Sequence, residues 1–317
     1  MSIAVLGAGA FGTALAIALA ESGRDVTLWA RNPRDMERVR ENTSRLPGIA
    51  FPKRLRISVE MADINAPVVL LATPMQALSG FLGSHCAHLD NRTLVTCCKG
   101  VDLKTGLGPA EITAKACGNA QVAVLSGPGF AVDIASGLPT ALTLAGADGT
   151  ETLQATLSTD TLRLYRSGDV IGVELGGALK NVVAIAAGLA MGAGLGESAR
   201  AALLTRGFAE MNRFAVAQGA RPETLSGLSG LGDLVLTATS AKSRNYTFGL
   251  ALGAGGDKAP PAGTTVEGMA TARAVARLAA KMGIDMPITR MVVAVLDGQL
   301  TLKQACEALL ARPLKEE

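Results

Sequence analysis

Two lysines and one glycine-spaced turn are the residues of this chain whose types and settings could do chemistry. Lys180 stands in the apolar run GDVIGVELGGALKNVVAIAAGLAMG. Burial there would lower its proton affinity, toward the range in which an amine gives up and takes back a proton efficiently. Lys99 closes a second buried run, TLVTCCKG, and an ammonium beside the first would lower that affinity further. Both histidines, His85 and His88, lie in the N-terminal half. A C-terminal half without histidine must carry protons on another group, and Lys180 is the natural carrier. A salt-bridged helix lysine is the bland alternative, but Glu174 lies two turns away without the i,i+4 spacing that pairs side chains on one face.

The glycine-spaced turn is SIAVLGAGAFG, Ser2 to Gly12, a buried strand that breaks into GxGxxG. Gly7 permits a sharp turn, Gly9 lets backbone approach a pyrophosphate, and Gly12 lets the next helix pack tightly with its amides facing the phosphates. That helix ends at Gly23 and a second strand follows as DVTLW, Asp25 to Trp29. The strand, helix, strand context makes this a dinucleotide site rather than a structural glycine turn. NAD-specific sites usually carry an acid at the end of the second strand. Here the residues are Ala30, Arg31 and Asn32, and the Arg31 guanidinium suits a 2′-phosphate. NADP(H) is therefore favoured, with NAD(H) compatible.

The elements that must position these residues fall into two halves. Up to about residue 167 buried runs alternate with helical stretches: Val68 to Thr73, Thr93 to Gly100, Gln121 to Pro128, Pro139 to Gly146 and Leu162 to Ser167 continue the sheet. Carboxyl ends of strands line the crevice of an open α/β sheet, so Thr73-Pro74, Lys99-Gly100 and Ser126-Gly127-Pro128 should border the ligand. Beyond Gly168 the period becomes helical. The expected architecture is α/β: a Rossmann-type doubly wound domain over residues 1–168 and an all-helical substrate domain over 169–317. A length of 317 residues and 49% apolar content suit two domains with large cores.

Composition also excludes. A net charge of +3 spread over 30 basic and 27 acidic residues leaves no basic block, and 3% aromatics leave little to stack on bases, so nucleic acid is not an expected partner. Met1 to Ala20 carries no charge, yet no Lys or Arg precedes its apolar residues and its glycines sit where a nucleotide fold needs them. No integral membrane segment is expected, and the cytoplasm is the expected compartment. Five cysteines, odd in number and without a CxxC pair, agree with a reducing environment. His85, Cys86 and His88 find no second ligand cluster, so no metal site is expected.

Further motifs make a family resemblance specific. GAGAFGTALA, Lys99-Gly100, SGPGFA, GLPTA, IGVELGGALKNVVAIAAG, LLTRGFAEM, GLGDLVLT, SRN, VEG and MPIT run nearly end to end. Together they resemble the bacterial NAD(P)-dependent glycerol-3-phosphate dehydrogenases. The resemblance implies reversible reduction of dihydroxyacetone phosphate to sn-glycerol 3-phosphate, a phospholipid precursor. A homodimer is compatible with it.

Carried over residue by residue, the resemblance makes Lys180 the acid/base, places Lys99 beside substrate and nicotinamide, and makes Asp233 a substrate-contacting acid. It assigns the phosphate end to Ser243, Arg244 and Asn245, and further substrate contacts to Gly127 and Gly129. The implied cofactor set is Gly7, Gly9, Ala10, Phe11, Gly12, Arg31, Lys99, Ala131, Arg244, Thr265 and Glu267. The chain departs from the family pattern at Ala10, where Ser is frequent, at Gly129, where Thr or Ser is frequent, and at Tyr246 and Thr247, where a basic pair can follow SRN. A β-hydroxyacid dehydrogenase with a catalytic lysine is the nearest alternative, but it spaces its lysine and asparagine, whereas Lys180 and Asn181 adjoin. A non-enzymatic nicotinamide sensor would need the glycine turn alone.

Overall fold

The computed structural model describes residues 2–33, 35–147 and 149–311. Residues 1, 34, 148 and 312–317 of the two expected domains lie outside the described residues. Contacts divide the chain into two units: residues up to Lys99 with Leu107–Glu174, and Gly100–Gly106 with the chain from Leu175 onward.

The first unit is built on eight strands: β1 (Ser2–Leu6), β2 (Asp25–Trp29), β3 (Leu55–Ser58), β4 (Val68–Leu71), β5 (Thr93–Thr96), β6 (Gln121–Ser126), β7 (Thr140–Gly146) and β8 (Leu162–Ser167). Their order across the sheet is β3-β2-β1-β4-β5-β6-β7-β8. The first six are parallel, while β7 runs antiparallel to β6 and β8 pairs parallel with β7. The short helix Ala131–Ala135 joins β6 to β7. Alternation along the strands fills both faces. Ile3, Val5, Val68 and Leu70 belong to one buried cluster, and Ala4, Leu6, Val69 and Leu71 to another. Burial on both faces explains why the strands read as continuous apolar runs. Each such Val or Leu contributes about 1.5–3 kcal/mol. β3 falls outside the expected strands because only Leu55 of its four residues is fully covered, which leaves no apolar run to read.

The second unit is helical. Its central element, Val170–Gly192, starts in the first unit and carries Lys180 at its middle. It is long and apolar enough to cross a membrane by composition, but 83% of its apolar window is buried inside the protein. The helix Arg244–Gly253 crosses it backbone to backbone. A Cβ added at Gly188 or Gly192 would fall on the carbonyl oxygens of Tyr246 or Leu250, and one at Gly249 or Gly253 on those of Ile185 or Leu189. Glycines spaced by four on both helices thus bring Ser243, Arg244 and Asn245 up against the lysine helix. Glu210, 3% exposed, accepts from the Ile288 and Thr289 amides and so caps the helix Pro287–Leu296 from a distance.

Candidate active site

In the first unit the expected residues gather along the carboxyl edge of the parallel strands. Gly7 ends β1 at φ +117°, a conformation that favours glycine, and a Cβ there would sit 2.7 Å from the Ala72 oxygen. A Cβ at Gly12 would fall on the Gly7 oxygen. These two glycines are required by the protein's own packing. Gly9 differs, because a Cβ there would meet nothing within 4 Å. The helix Ala10–Glu21 that follows has no side-chain cap and no acid in its first turn. The amides of Ala10, Phe11 and Gly12 therefore start a helix whose own first turn supplies neither a cap nor a negative charge. An open cradle at Gly9 beside uncapped amides fits the pyrophosphate of a dinucleotide.

Arg31 is exposed just past β2, and the buried Ala30 beside it offers no carboxylate. Lys99, just beyond β5, donates from Nζ to the Gly127 oxygen at 2.9 Å and stands 5.8 Å from the centre of the Phe11 ring. Lys99 thereby joins the ends of β5 and β6 and stands over Phe11 in the first turn of the helix that follows β1. Gly127 at φ +140° admits no other residue without strain, and a Cβ at Gly129 would press on Ile134 and Thr140 at 3.0 and 3.1 Å. Gly129 accordingly offers a ligand only its backbone. Ala131 opens the short helix that follows. Two buried hydroxyls, Thr73 Oγ1 after β4 and Ser126 Oγ at the end of β6, have no hydrogen-bond partner among the described residues. Unsatisfied groups of this kind ordinarily mark places that water or a ligand completes.

In the second unit Lys180 and Asp233 come together although 52 residues of sequence lie between them. Lys180 Nζ donates to Thr237 Oγ1 at 2.6 Å and lies 3.1 Å from Asp233 Oδ1. Thr237 in turn donates to Asp233 Oδ1 at 3.1 Å, closing a triangle. The side chains of Lys180 and Asp233 are 9% and 3% exposed, and the two buried charges offset one another. Thr237 is absent from the expected set. It sits four residues after Asp233 on the helix Asp233–Ala238, a spacing that places both on one face, and that is the signal that could have found it. This helix grows out of the π-helical turn Leu228–Gly232. A Cβ at Gly176 would come within 2.9 Å of the Ser229 oxygen, so a small residue lets the turn dock on the lysine helix.

A second chain of bonds starts at the neighbouring residue. Asn181 Oδ1 accepts from Asn245 Nδ2 at 2.8 Å, and Asn245 Oδ1 accepts from the Gly268 amide at 3.0 Å. Ser243 caps the helix Arg244–Gly253, accepting the Tyr246 amide at 3.2 Å. Asn245 and Ser243 are thus partly committed to holding the backbone. Arg244, first in that helix, is exposed. Glu267 opens the helix Glu267–Met282 immediately before Gly268, and Thr265 is exposed just ahead of it. Each unit therefore has its own constellation: an anion cradle and Lys99 in one, a buried ammonium and an exposed arginine in the other.

Two other ionisable groups stand outside these constellations. Glu174 accepts the Ala110 amide at 2.7 Å, at the N-terminus of the helix Pro109–Ala116. Burial pushes its carboxyl up to about 7, against the pull of that hydrogen bond. His85 packs on Phe81 and Trp29 at centroid distances of 4.8 and 5.9 Å. Among the described residues no three His, Cys, Asp or Glu side chains gather as metal ligands.

Comparison with known proteins agrees over the whole chain. The family model for the NAD-dependent glycerol-3-phosphate dehydrogenase N-terminus matches residues 2–152, and that for the C-terminus matches 169–307. Glycerol-3-phosphate dehydrogenase [NAD(P)+] of Paracoccus denitrificans is 59% identical over 319 aligned residues, covering 100% of both chains. That of Cereibacter sphaeroides is 58% identical, covering 99% of this chain and 100% of its own. The crystal structure of glycerol-3-phosphate dehydrogenase from Coxiella burnetii superposes with a TM-score of 0.93 at 39% identity, covering 98% of this chain and 99% of that one. The chain belongs to the NAD-dependent glycerol-3-phosphate dehydrogenase family.

Proposed function

We propose that the protein interconverts dihydroxyacetone phosphate and sn-glycerol 3-phosphate, with Lys180 as proton carrier and NADP(H) as the favoured dinucleotide. The observation that carries this reading is the buried triangle of Lys180, Thr237 and Asp233. When bound, the dinucleotide supplies or accepts the hydride at the carbon that is ketone in one substrate and alcohol in the other. Lys180 gives a proton to the oxygen of that carbon during reduction and takes it back during oxidation. Asp233 and Thr237 fix the ammonium's position, and Asp233 offsets its charge in a setting where water cannot. Lys99 adds positive charge toward the developing alkoxide.

Arg244, with Ser243 and Asn245 beside it, takes the substrate phosphate through a charge-assisted fork. Gly127 and Gly129 contribute backbone. On the cofactor side, the amides from Gly9 to Gly12 hold the pyrophosphate, and Arg31 reads the 2′-phosphate in place of the acid an NAD site would carry. Ala131, Thr265 and Glu267 complete the cofactor contacts. In this reading residues 1–168 are the dinucleotide-binding domain and 169–317 the substrate domain, and the protein works in the cytoplasm, supplying glycerol 3-phosphate to phospholipid synthesis. The test is dinucleotide oxidation, with NADPH and NADH in turn, over phosphorylated and free ketones. Dihydroxyacetone phosphate should be turned over far faster than dihydroxyacetone, and NADPH should be preferred. Equal rates on both ketones would remove the phosphate assignment.

A further inference from the structure

Between β2 and β3 the chain makes an excursion whose geometry the proposed chemistry has not used. The short helix Met36–Val39 ends at Arg40, which adopts φ +54°, a left-handed conformation unusual outside glycine. From there the chain closes on itself. The Phe51 amide donates to the Arg40 oxygen at 2.7 Å, Glu41 bridges to Ala50, and Glu41 Oε1 accepts the Gly48 amide at 2.8 Å. The Arg40 guanidinium lies 5.9 Å from the centre of the Phe51 ring. The fastened loop delivers one side chain inward. Asn42, 1% exposed, donates from Nδ2 to the Ala8 oxygen at 3.0 Å and to Thr13 Oγ1 at 2.8 Å.

Ala8 is the residue between the first two glycines of the turn, and Thr13 directly follows the third. A carbonyl oxygen can only accept, so the amide nitrogen of Asn42 must face Ala8. Ser44 Oγ donates to the opposite end, Asn42 Oδ1, at 3.2 Å, in agreement with that orientation. Asn42 thus grips the glycine turn on both sides of Gly9. The amides from Gly9 to Gly12 have no side-chain cap to hold their direction. Their aim depends on the backbone being fixed from outside.

We infer that Asn42 is the positioning residue of the pyrophosphate turn, and that the loop from Arg40 to Pro52 exists to present it. Its amide holds the Ala8 carbonyl turned into the protein, so that the following amides face the anion. This assignment rests on the reading of the glycine turn as the pyrophosphate site. Loss of the grip should fall on the dinucleotide and spare the ketone. A merely structural residue would lower stability without dividing the two ligands in this way.

The test is titration of Asn42→Ala with NADPH by fluorescence, with the thermal midpoint of the ligand-free protein and both KM values measured alongside. The NADPH dissociation constant should rise about tenfold or more, as expected for lost hydrogen bonds to a buried turn. With NADPH saturating, kcat and the KM for dihydroxyacetone phosphate should stay within about twofold. Thr13→Val, which keeps the Ala8 bond and the side-chain shape, should weaken NADPH by about threefold and carries the test if Asn42→Ala does not fold. Gly9→Val separates this inference from its foundation, since a side chain in the cradle must weaken NADPH if the pyrophosphate lies there. NADPH affinity unchanged in Gly9→Val would overturn the pyrophosphate reading and Asn42's role with it. Weak binding in Gly9→Val, with unchanged binding in folded Asn42→Ala or in Thr13→Val, would overturn the role of Asn42 alone, as would a KM for the ketone that rises in step with that for NADPH.

Discussion

The glycine turn of the sheet unit and the lysine triangle of the helical unit solve opposite problems. In the proposed reading the turn exposes backbone amides to an anion, and it is built from missing side chains: Gly7 and Gly12 pack on the protein, while a Cβ at Gly9 would meet nothing within 4 Å. The triangle hides a charged side chain that, in the proposed reading, must still exchange a proton, and it is built from added polar groups, Asp233 and Thr237, around a buried ammonium. The first depends on local spacing within a dozen residues. The second depends on two helices that meet only in the folded chain. Binding chemistry and proton chemistry should therefore be separable by mutation.

The largest expected effect is on the triangle. Lys180→Met should lower turnover by at least about a hundredfold while leaving the NADPH dissociation constant nearly unchanged, because it removes a proton carrier and no cofactor contact. Steady-state kinetics with a parallel fluorescence titration check both halves. A parallel loss of NADPH affinity would show that the two regions are not independent.

Next is the contrast within the turn itself. Gly12→Ala places a methyl on the Gly7 oxygen and should cost about 2–3 kcal/mol of stability. Gly9→Ala should leave the thermal midpoint of the ligand-free protein in place and weaken NADPH by about tenfold. If both substitutions cost stability alike, Gly9 is a packing glycine and the cradle reading fails.

A loss of comparable size, confined to the phosphate, is expected at Arg244. Arg244→Ala should lower kcat/KM for dihydroxyacetone phosphate by about tenfold to a hundredfold, the worth of a charge-assisted contact. Unphosphorylated dihydroxyacetone should be nearly unaffected at saturating NADPH. An equal loss for both ketones would move the phosphate site elsewhere.

The two regions also differ in how they could be read from the chain. The turn was legible because its information is contiguous: strand, three glycines, helix and strand follow in order. The direction of β7 was not, since apolar runs carry no sign of parallel or antiparallel pairing, and β3 was too short and too exposed to register. Asn42 was invisible for another reason. Its partners, Ala8 and Thr13, lie across β2, and an asparagine in a loop has no periodic pattern. Lys180 stood out by being charged in an apolar helix, whereas Asp233 was singled out only by the family resemblance, as a substrate-contacting acid, and no spacing announced its contact with the lysine. Glu174 was weighed only as a partner for Lys180, whereas the fold turns it toward the Ala110 amide.

Glu174 supplies the smallest expected effect, a pH dependence outside both constellations. Burial raises its carboxyl from an ordinary value near 4.5 to about 7 in the folded chain. The folded state therefore binds the proton more tightly than the unfolded one. Its stabilising contribution is complete below about pH 4.5 and is lost as pH rises through about 7. Glu174→Gln keeps an acceptor for the Ala110 amide and should flatten thermal midpoints across that window relative to the parent. A slope unchanged by the substitution would place the titration elsewhere.

The central claim, that the proton travels on the Lys180 ammonium, is tested most directly by chemical rescue. Lys180→Ala leaves a space beside Asp233 and Thr237 that a small primary amine can enter, with those two groups still present to hold its ammonium. Turnover of dihydroxyacetone phosphate should rise with added methylamine and saturate, and across a series of amines of similar size the rescued rate should follow amine proton affinity. No rescue by any amine in a folded protein that still binds NADPH would contradict the assignment of the proton to Lys180.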